Sequence, residues 1–232
     1  MSKFTSFLKT CIRISLTTLF CGGLACLGVY AIVTSGTSLQ KENLNSSTRF
    51  ATTVYASQGE VINTTHASQE VDIHKVPQHT LTTFIYTEDK RFYSHHGIDY
   101  IRIAGATIEN IKRRKLAQGG STISQQLIKN THLSNEKTLT RKLKEIKLTK
   151  QLEHVYTKDE ILEMYLNRIY FGNSCYGLAQ ASEFYFNTNY QNLTLNQSAT
   201  LAGVINAPSI YDPIAHPENT LHKRNQILKN LQ

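Results

Sequence analysis

Gly119 to Asn130 reads GGSTISQQLIKN. Two glycines lead into three hydroxyls, two adjacent amides and a lysine. A helix that opens after Gly120 takes Ser121 or Thr122 as its N-cap. The freed N–H groups of such a start, with the hydroxyls of Ser121, Thr122 and Ser124 close by, can hold phosphate oxygens. Gln125 and Gln126 can donate and accept at sugar hydroxyls or amides. Lys129 supplies a compact positive charge for phosphate. A capped helix with a polar solvent face explains the hydroxyls but leaves the paired glutamines without a task. The Walker pattern GxxxxGK[ST] is absent, so a nucleoside triphosphate is not implied.

Outward from this stretch the pattern is helical. From Pro77 nearly to the C-terminus the periodicity favours helices. Thr157 with Glu160, and Thr194 with Gln197, are capping boxes that start two of them. Leu162, Tyr165, Leu166 and Ile169 recur at helical spacing and predict a buried stripe. Leu139, Leu143 and Ile146 form a second apolar stripe, set among charges. Pro208 closes the helix that Thr194 opens. Before Pro77, β-formers flank Ser57-Gln58-Gly59 in the segment Thr52 to Ile62, the pattern of a short hairpin. The fold class expected is mainly α with a small β element.

The chain has 232 residues, with 25 Lys and Arg against 17 Asp and Glu, a net charge of +8. That balance favours an anionic partner: nucleic acid, a membrane surface or a phosphorylated substrate. Residues 14–33 carry no charge and are long enough to cross a bilayer as a helix. Lys3, Lys9 and Arg13 precede them, which places the N-terminus in the cytoplasm and the rest of the chain outside. A membrane anchor argues against nucleic acid as the partner. A cleaved signal peptide is the alternative, but the run is long for one. Residues 34–50, rich in Ser, Thr and Asn, read as a linker, and 51–232 as the outer domain. Cys175 is the only cysteine of that domain, so no internal disulfide forms there, and no CxxC or HxxxH suggests a metal site.

Two further stretches can carry chemistry. EDKRFYSHHGID, Glu88 to Asp99, places acids, aromatics and two histidines at a helix end and loop. Partial burial of such an acid raises its pKa and suits it to general-base work. A solvated acidic helix end, with His95 and His96 merely exposed, is the bland reading. In RKLKEIKLTKQLE, Arg141 to Glu153, Glu145 stands alone among Arg141, Lys142, Lys144, Lys147 and Lys150. Arg141 lies one turn before it on the same face. The arrangement fits either the holding of an anionic leaving group or a surface ion pair worth little. NIKRRK, Asn110 to Lys115, is a further basic cluster, suited to lipid headgroups or to plain solvation.

Taken in order, EDKRFYSHHGID, GGSTISQQLIKN, RKLKEIKLTKQLE, KDEILEMYLNRIYFGNSCYG and ATLAGVINAPSIYDP resemble the five motifs of the peptidoglycan glycosyltransferases, the monofunctional transglycosylases and the glycosyltransferase module of class A penicillin-binding proteins. The resemblance runs from about Val54 to Leu228. It implies a lysozyme-like, mainly α domain with a smaller membrane-side lobe. It implies lipid II and the growing glycan strand as substrates, with undecaprenyl pyrophosphate leaving and inversion at the anomeric carbon. By motif, Glu88 is the general base and Glu145 the second acid, near the donor pyrophosphate. Lys129, Lys137, Arg141 and Lys142 would bind phosphate. Ser121, Gln125, Gln126 and Asn130 would line the sugar cleft, with His96 and Arg102 also at the substrate. No cofactor is firmly implied, although a divalent cation such as Mg2+ near the pyrophosphate fits the chemistry.

Three positions depart from the family pattern. Gly105 stands where an arginine is usual, and Arg102, three residues earlier, is placed to reach the same region. Lys137 stands for an arginine and gives up the bidentate fork. YFNTN, Tyr185 to Asn189, replaces Tyr-Phe-Gly-Lys. The expected enzyme is single-pass in the bacterial inner membrane, its catalytic domain on the periplasmic side, with the bilayer and other wall-synthesis proteins as partners. No K[ST]G or SxN motif occurs, so a monofunctional enzyme is expected, with a truncated penicillin-binding protein as the alternative. A non-catalytic scaffold derived from the family, and a lytic glycan-cleaving enzyme, are the competing functions. A lytic enzyme needs neither the second acid nor the anchor.

Overall fold

Why the chain turns helical after Pro77 is visible at the helix starts. The computed structural model describes residues 2–45, 53–58, 60–64, 70–113, 120–134 and 136–231. Its helices are α1 (Ser2–Thr34), α2 (Lys41–Asn45), α3 (Gln78–Asp89), α4 (Tyr100–Arg113), α5 (Ile123–His132), α6 (Leu139–Val155), α7 (Lys158–Leu166), α8 (Leu178–Phe186), α9 (Leu195–Asn206) and α10 (Pro217–Leu231). Both expected capping boxes are present, at Thr157–Glu160 and Thr194–Gln197. A third opens α5: Thr122 accepts from the Gln125 N–H, and Gln125 reaches back to the Thr122 N–H. Strands β1 (Thr53–Tyr55) and β2 (Val61–Thr64) pair antiparallel, Thr53 opposite Thr64, as the expected hairpin. Gly59, in its turn, lies outside the described residues, as do Gly119 and the last two residues of NIKRRK, Arg114 and Lys115.

The core joins α3, α5, α6, α7 and α9. The expected stripe is buried, with Leu162, Tyr165 and Leu166 of α7, and Ile169 just past its end, all nearly closed to solvent. Phe84 of α3 meets Phe171 edge to face, with ring centroids 6.1 Å apart. α9 packs on α3 and α10, and α5 packs on α6 and α7.

The α6 stripe is a correction. Leu139 is 81% exposed, and Leu143 and Ile146 are only half-buried. The buried face is instead Glu145, Leu148, Thr149 and Leu152. Two stripes compete on this helix. The one containing an acid wins because Arg141, Lys142 and Gln125 compensate the buried carboxylate. A reading by apolar period alone discards that face.

Within α1, residues Arg13–Thr34 are long and apolar enough to cross a membrane. Residues 13–29 are all exposed, Leu19 by 75%, whereas the end of the helix meets α6 and Thr34 is buried. The segment after α1, read as a linker, is docked in its first part. Lys147 Nζ donates to the Thr34 carbonyl at 2.8 Å, and the Leu39 N–H donates to Gln151 Oε1 at 3.0 Å. Leu44 is fully buried in the core, and Arg168 donates to its carbonyl. Ser/Thr/Asn-rich composition concealed the two leucines that seat this strap.

Candidate active site

Helix α5 carries the GGSTISQQLIKN stretch, and its two glutamines point to two different acids. Adjacent residues on a helix diverge by about 100°. Gln125 Oε1 accepts from the Thr122 N–H at 3.1 Å, so its Nε2 faces away and donates to Glu145 Oε1 at 3.1 Å. Gln126 Oε1 accepts from Tyr165 Oη at 3.2 Å, so its Nε2 donates to Glu88 Oε2 at 2.8 Å. In each case the partner on the oxygen fixes which end of the amide meets the carboxylate. The paired amides left unexplained by a solvated helix face therefore each hold one acid.

Glu88 lies in the last turn of α3 and is 8% exposed. Its second oxygen, Oε1, accepts from Asn206 Nδ2 of α9 at 2.7 Å. Burial pushes its carboxyl above the ordinary value, opposed by the Gln126 hydrogen bond and by the positive charges of Arg102 and Lys223. The solvated helix-end reading does not hold for this acid. It does not hold for His95 either, which is buried and bonded through Nε2 to Asp89 Oδ2 at 2.9 Å. His96 is exposed.

Asp89 ties the end of α3 to its surroundings. Its Oδ2 accepts from the Ile123 N–H, the first residue of α5, at 3.0 Å. Arg102 of α4 donates to the Glu88 carbonyl and lies 3.9 Å from Asp89 Oδ1. Arg102 thus reaches the first motif from its own helix, as expected. A Cβ at Gly105 would meet nothing within 4 Å. The loop after His95 presses onto α6 at Gly97, whose φ is +82° and where a Cβ would come within 2.8 Å of Thr149 Cγ2. Only glycine suits that turn.

Glu145 is 2% exposed. Arg141 Nη1 donates to its Oε2 at 2.7 Å, and Lys142 Nζ pairs with its Oε1. This is a buried charge cluster, not the surface pair that spacing alone allows. Lys142 also lies 3.4 Å from Ser121 Oγ. Lys129 and Asn130 are exposed near the end of α5, and Lys137 is exposed just before α6. Gln125 is 2% exposed, with Oε1 bonded to Thr122 and Nε2 to Glu145, so as arranged it is closed off from a sugar in the cleft.

These contacts bring together Glu88, Arg102 and Gln126 in one group, and Ser121, Gln125, Arg141, Lys142 and Glu145 in another. Asn206 lies in ATLAGVINAPSIYDP without a role of its own in the sequence; its one signal is that it ends the apolar run of residues 201–205.

A family model for the transglycosylase domain matches residues 57–232. The chain belongs to the transglycosylase family. Penicillin-binding protein 1A/1B of Bacillus subtilis (strain 168) is 45% identical over 200 residues, covering 85% of this chain and 22% of that protein. Penicillin-binding protein 1A of Aquifex aeolicus (strain VF5) is 41% identical over 183 residues, covering 78% and 25%. The chain therefore spans about a quarter or less of the length of these relatives. Among solved structures, Penicillin-Binding Protein 1A from Haemophilus influenzae aligns with a TM-score of 0.45 and 22% identity, covering 79% of this chain and 18% of that one.

One family departure has a structural account. Asn187, in place of the usual glycine of YFNTN, caps α8 in the left-handed conformation, with φ 48° and ψ 45°. Asparagine is among the few side chains that take this conformation readily.

Buried acids also raise the question of a metal. Asp89, His95 and Asp99 lie close enough to share an ion. Arg91 already binds Asp99 through two donors, and Arg102 faces Asp89. At Glu145 two cations and an amide take the carboxylate oxygens. Neither group fits a resident divalent ion as arranged.

Proposed function

We propose that this chain polymerises lipid II into β-1,4-linked glycan, acting as a peptidoglycan glycosyltransferase. The observation that carries the reading is the opposite setting of two buried acids held by one helix. Glu88 has neutral amide donors and a raised pKa, the setting of a base that must take a proton near neutrality. Glu145 gathers Arg141 and Lys142, the setting of a site that holds developing negative charge.

In the proposed step Glu88 removes the proton from the 4-hydroxyl of the acceptor sugar. That oxygen attacks the anomeric carbon of the donor. The bond to the pyrophosphate breaks on the opposite face, and the electron pair leaves with the phosphate. Arg141, Lys142, Lys129 and Lys137 stabilise the departing charge. The result is inversion, as in the inverting glycosidases, with a sugar hydroxyl in place of water.

We place α1 across the inner membrane, N-terminus in the cytoplasm, with the catalytic region on the periplasmic side among the bilayer, lipid II and the wall-synthesis machinery. The uncovered apolar surface of residues 14–29 and the basic residues before them support this orientation. No transpeptidase motif occurs in residues 1–232, so the proposal concerns glycosyl transfer alone. The scaffold reading drew on Gly105 and YFNTN. Arg102 beside Glu88 and the left-handed Asn187 weaken both grounds.

The test is polymerisation of purified lipid II by the detergent-solubilised protein, read by gel as glycan length, with Glu88→Gln alongside. Long strands from the wild type and none from the variant are expected. Lipid II bound without polymer by the folded wild type would move the assignment to a scaffold.

A further inference from the structure

Asn206 ends α9 and is exposed, yet its side chain reaches the nearly buried Glu88 from a position 118 residues away in sequence. It completes a pair. Gln126 donates to Oε2 of the acid at 2.8 Å and Asn206 to Oε1 at 2.7 Å. Each carboxylate oxygen has two lone pairs, so each keeps one for substrate. Because an ionised carboxylate only accepts, the Asn206 amide must present Nδ2 to it, which turns Oδ1 away. The Tyr165 hydroxyl fixes the orientation of Gln126. Among the described residues, the other hydrogen bond of the Asn206 amide is a long one, 3.4 Å to the Ala202 carbonyl of its own helix.

We propose that Asn206 is a positioning residue for Glu88: with Gln126 it forms a two-armed amide clamp that fixes the plane of the carboxylate and leaves one lone pair per oxygen for the acceptor hydroxyl. The inference rests on the reading of Glu88 as the general base. A base whose carboxylate can rotate spends part of its time misaligned, so the clamp contributes to turnover more than to binding. Being exposed, the position can be changed without opening a cavity in the core. The charged and titratable groups around Glu88 are Asp89 on its own helix, Arg102 on α4, Tyr165 on α7 and Lys223 on α10. Substitution of Asn206 leaves all of them in place.

The experiment is lipid II polymerisation kinetics of the full chain in detergent across pH, with thermal unfolding in parallel, for wild type, Asn206→Ala, Asn206→Asp and Glu88→Gln. Asn206→Ala is expected to lower kcat by roughly tenfold, the order for a lost hydrogen bond to a charged group. KM and Tm should stay unchanged. The acid limb of the kcat profile should move to higher pH, because the ionised base loses a donor. Asn206→Asp should move that limb further, by placing a second carboxylate against the first. An unmoved acid limb in Asn206→Ala overturns the proposal, whether kcat holds or falls together with Tm. The Glu88→Gln arm separates the two levels. A working Glu88→Gln enzyme breaks the general-base reading itself. An inactive one beside an unaffected Asn206→Ala breaks only the clamp.

Discussion

Glu88 and Glu145 are both nearly closed to solvent, and both receive an amide from the same turn of α5. Their other partners differ in kind. Around Glu145 the compensation is ionic, from Arg141 and Lys142. Around Glu88 it is chiefly dipolar, from two amides, and the nearest cation, Arg102, is turned to the backbone carbonyl. Burial is thus common to the two acids, and the charge of their donors separates them: neutral amides suit the proposed base, and cations suit a site proposed to meet an anion.

The contrast can be broken by experiment, most sharply at Glu88. Glu88→Gln should lower polymerisation by about 10²–10⁴-fold, the usual contribution of a general base, while lipid II still binds. Turnover near wild type would erase the distinction between the two acids. Glu145→Gln should cost about 2–3 kcal/mol of stability in urea unfolding. It leaves Arg141 and Lys142 crowded without their anion, and the figure is set below that for a fully buried pair because the Lys142 side chain is 39% exposed. An unchanged unfolding midpoint would reduce the cluster to a surface pair.

Glu88→Gln should act on stability with the opposite sign. The folded pKa of Glu88 lies above its unfolded value, so the native state binds the proton more tightly. Wild-type stability therefore falls as pH rises from the unfolded pKa through the folded one. The variant escapes that loss. Its Tm should exceed that of the wild type at neutral pH, with the gap closing in acid below the ordinary carboxylate range. A lower Tm for the variant at neutral pH would mean that the carboxylate, not the burial, dominates its surroundings.

The smallest effect lies outside both acids and serves as a control. Asn187→Gly should leave stability within a few tenths of a kcal/mol, and Asn187→Val should cost about 1 kcal/mol through the left-handed backbone. Equal stability of the two variants would refute the account of that departure.

Much of this was legible in the sequence because it is local. Capping boxes, the α7 stripe and the hairpin depend on residues a few positions apart, where the short-range rules of chain geometry apply. Glu145 stands out by the cations around it, whereas Glu88 is singled out from Asp89 only through the family resemblance. What stayed hidden depends on pairs far apart in the chain. Asn206 meets Glu88 across 118 positions, and locally it is only the polar end of an apolar run. His95 looked solvated because its partner, Asp89, is buried only once α5 lies over the end of α3. The α6 face was misjudged because a buried acid scores as polar until its cations are counted.

The docked strap after α1 has a mechanical consequence. A free chain of its length, ~11 residues, would wander over roughly 18 Å end to end. In the membrane setting proposed above, the packed helices would then rise and fall over the bilayer by chain statistics. Held instead by Lys147, Gln151, Arg168 and the buried Leu44, the strap turns a rope into a bracket. The height of the site becomes a property of packing. Added residues would not lengthen its reach; they would have to unseat Leu44 first.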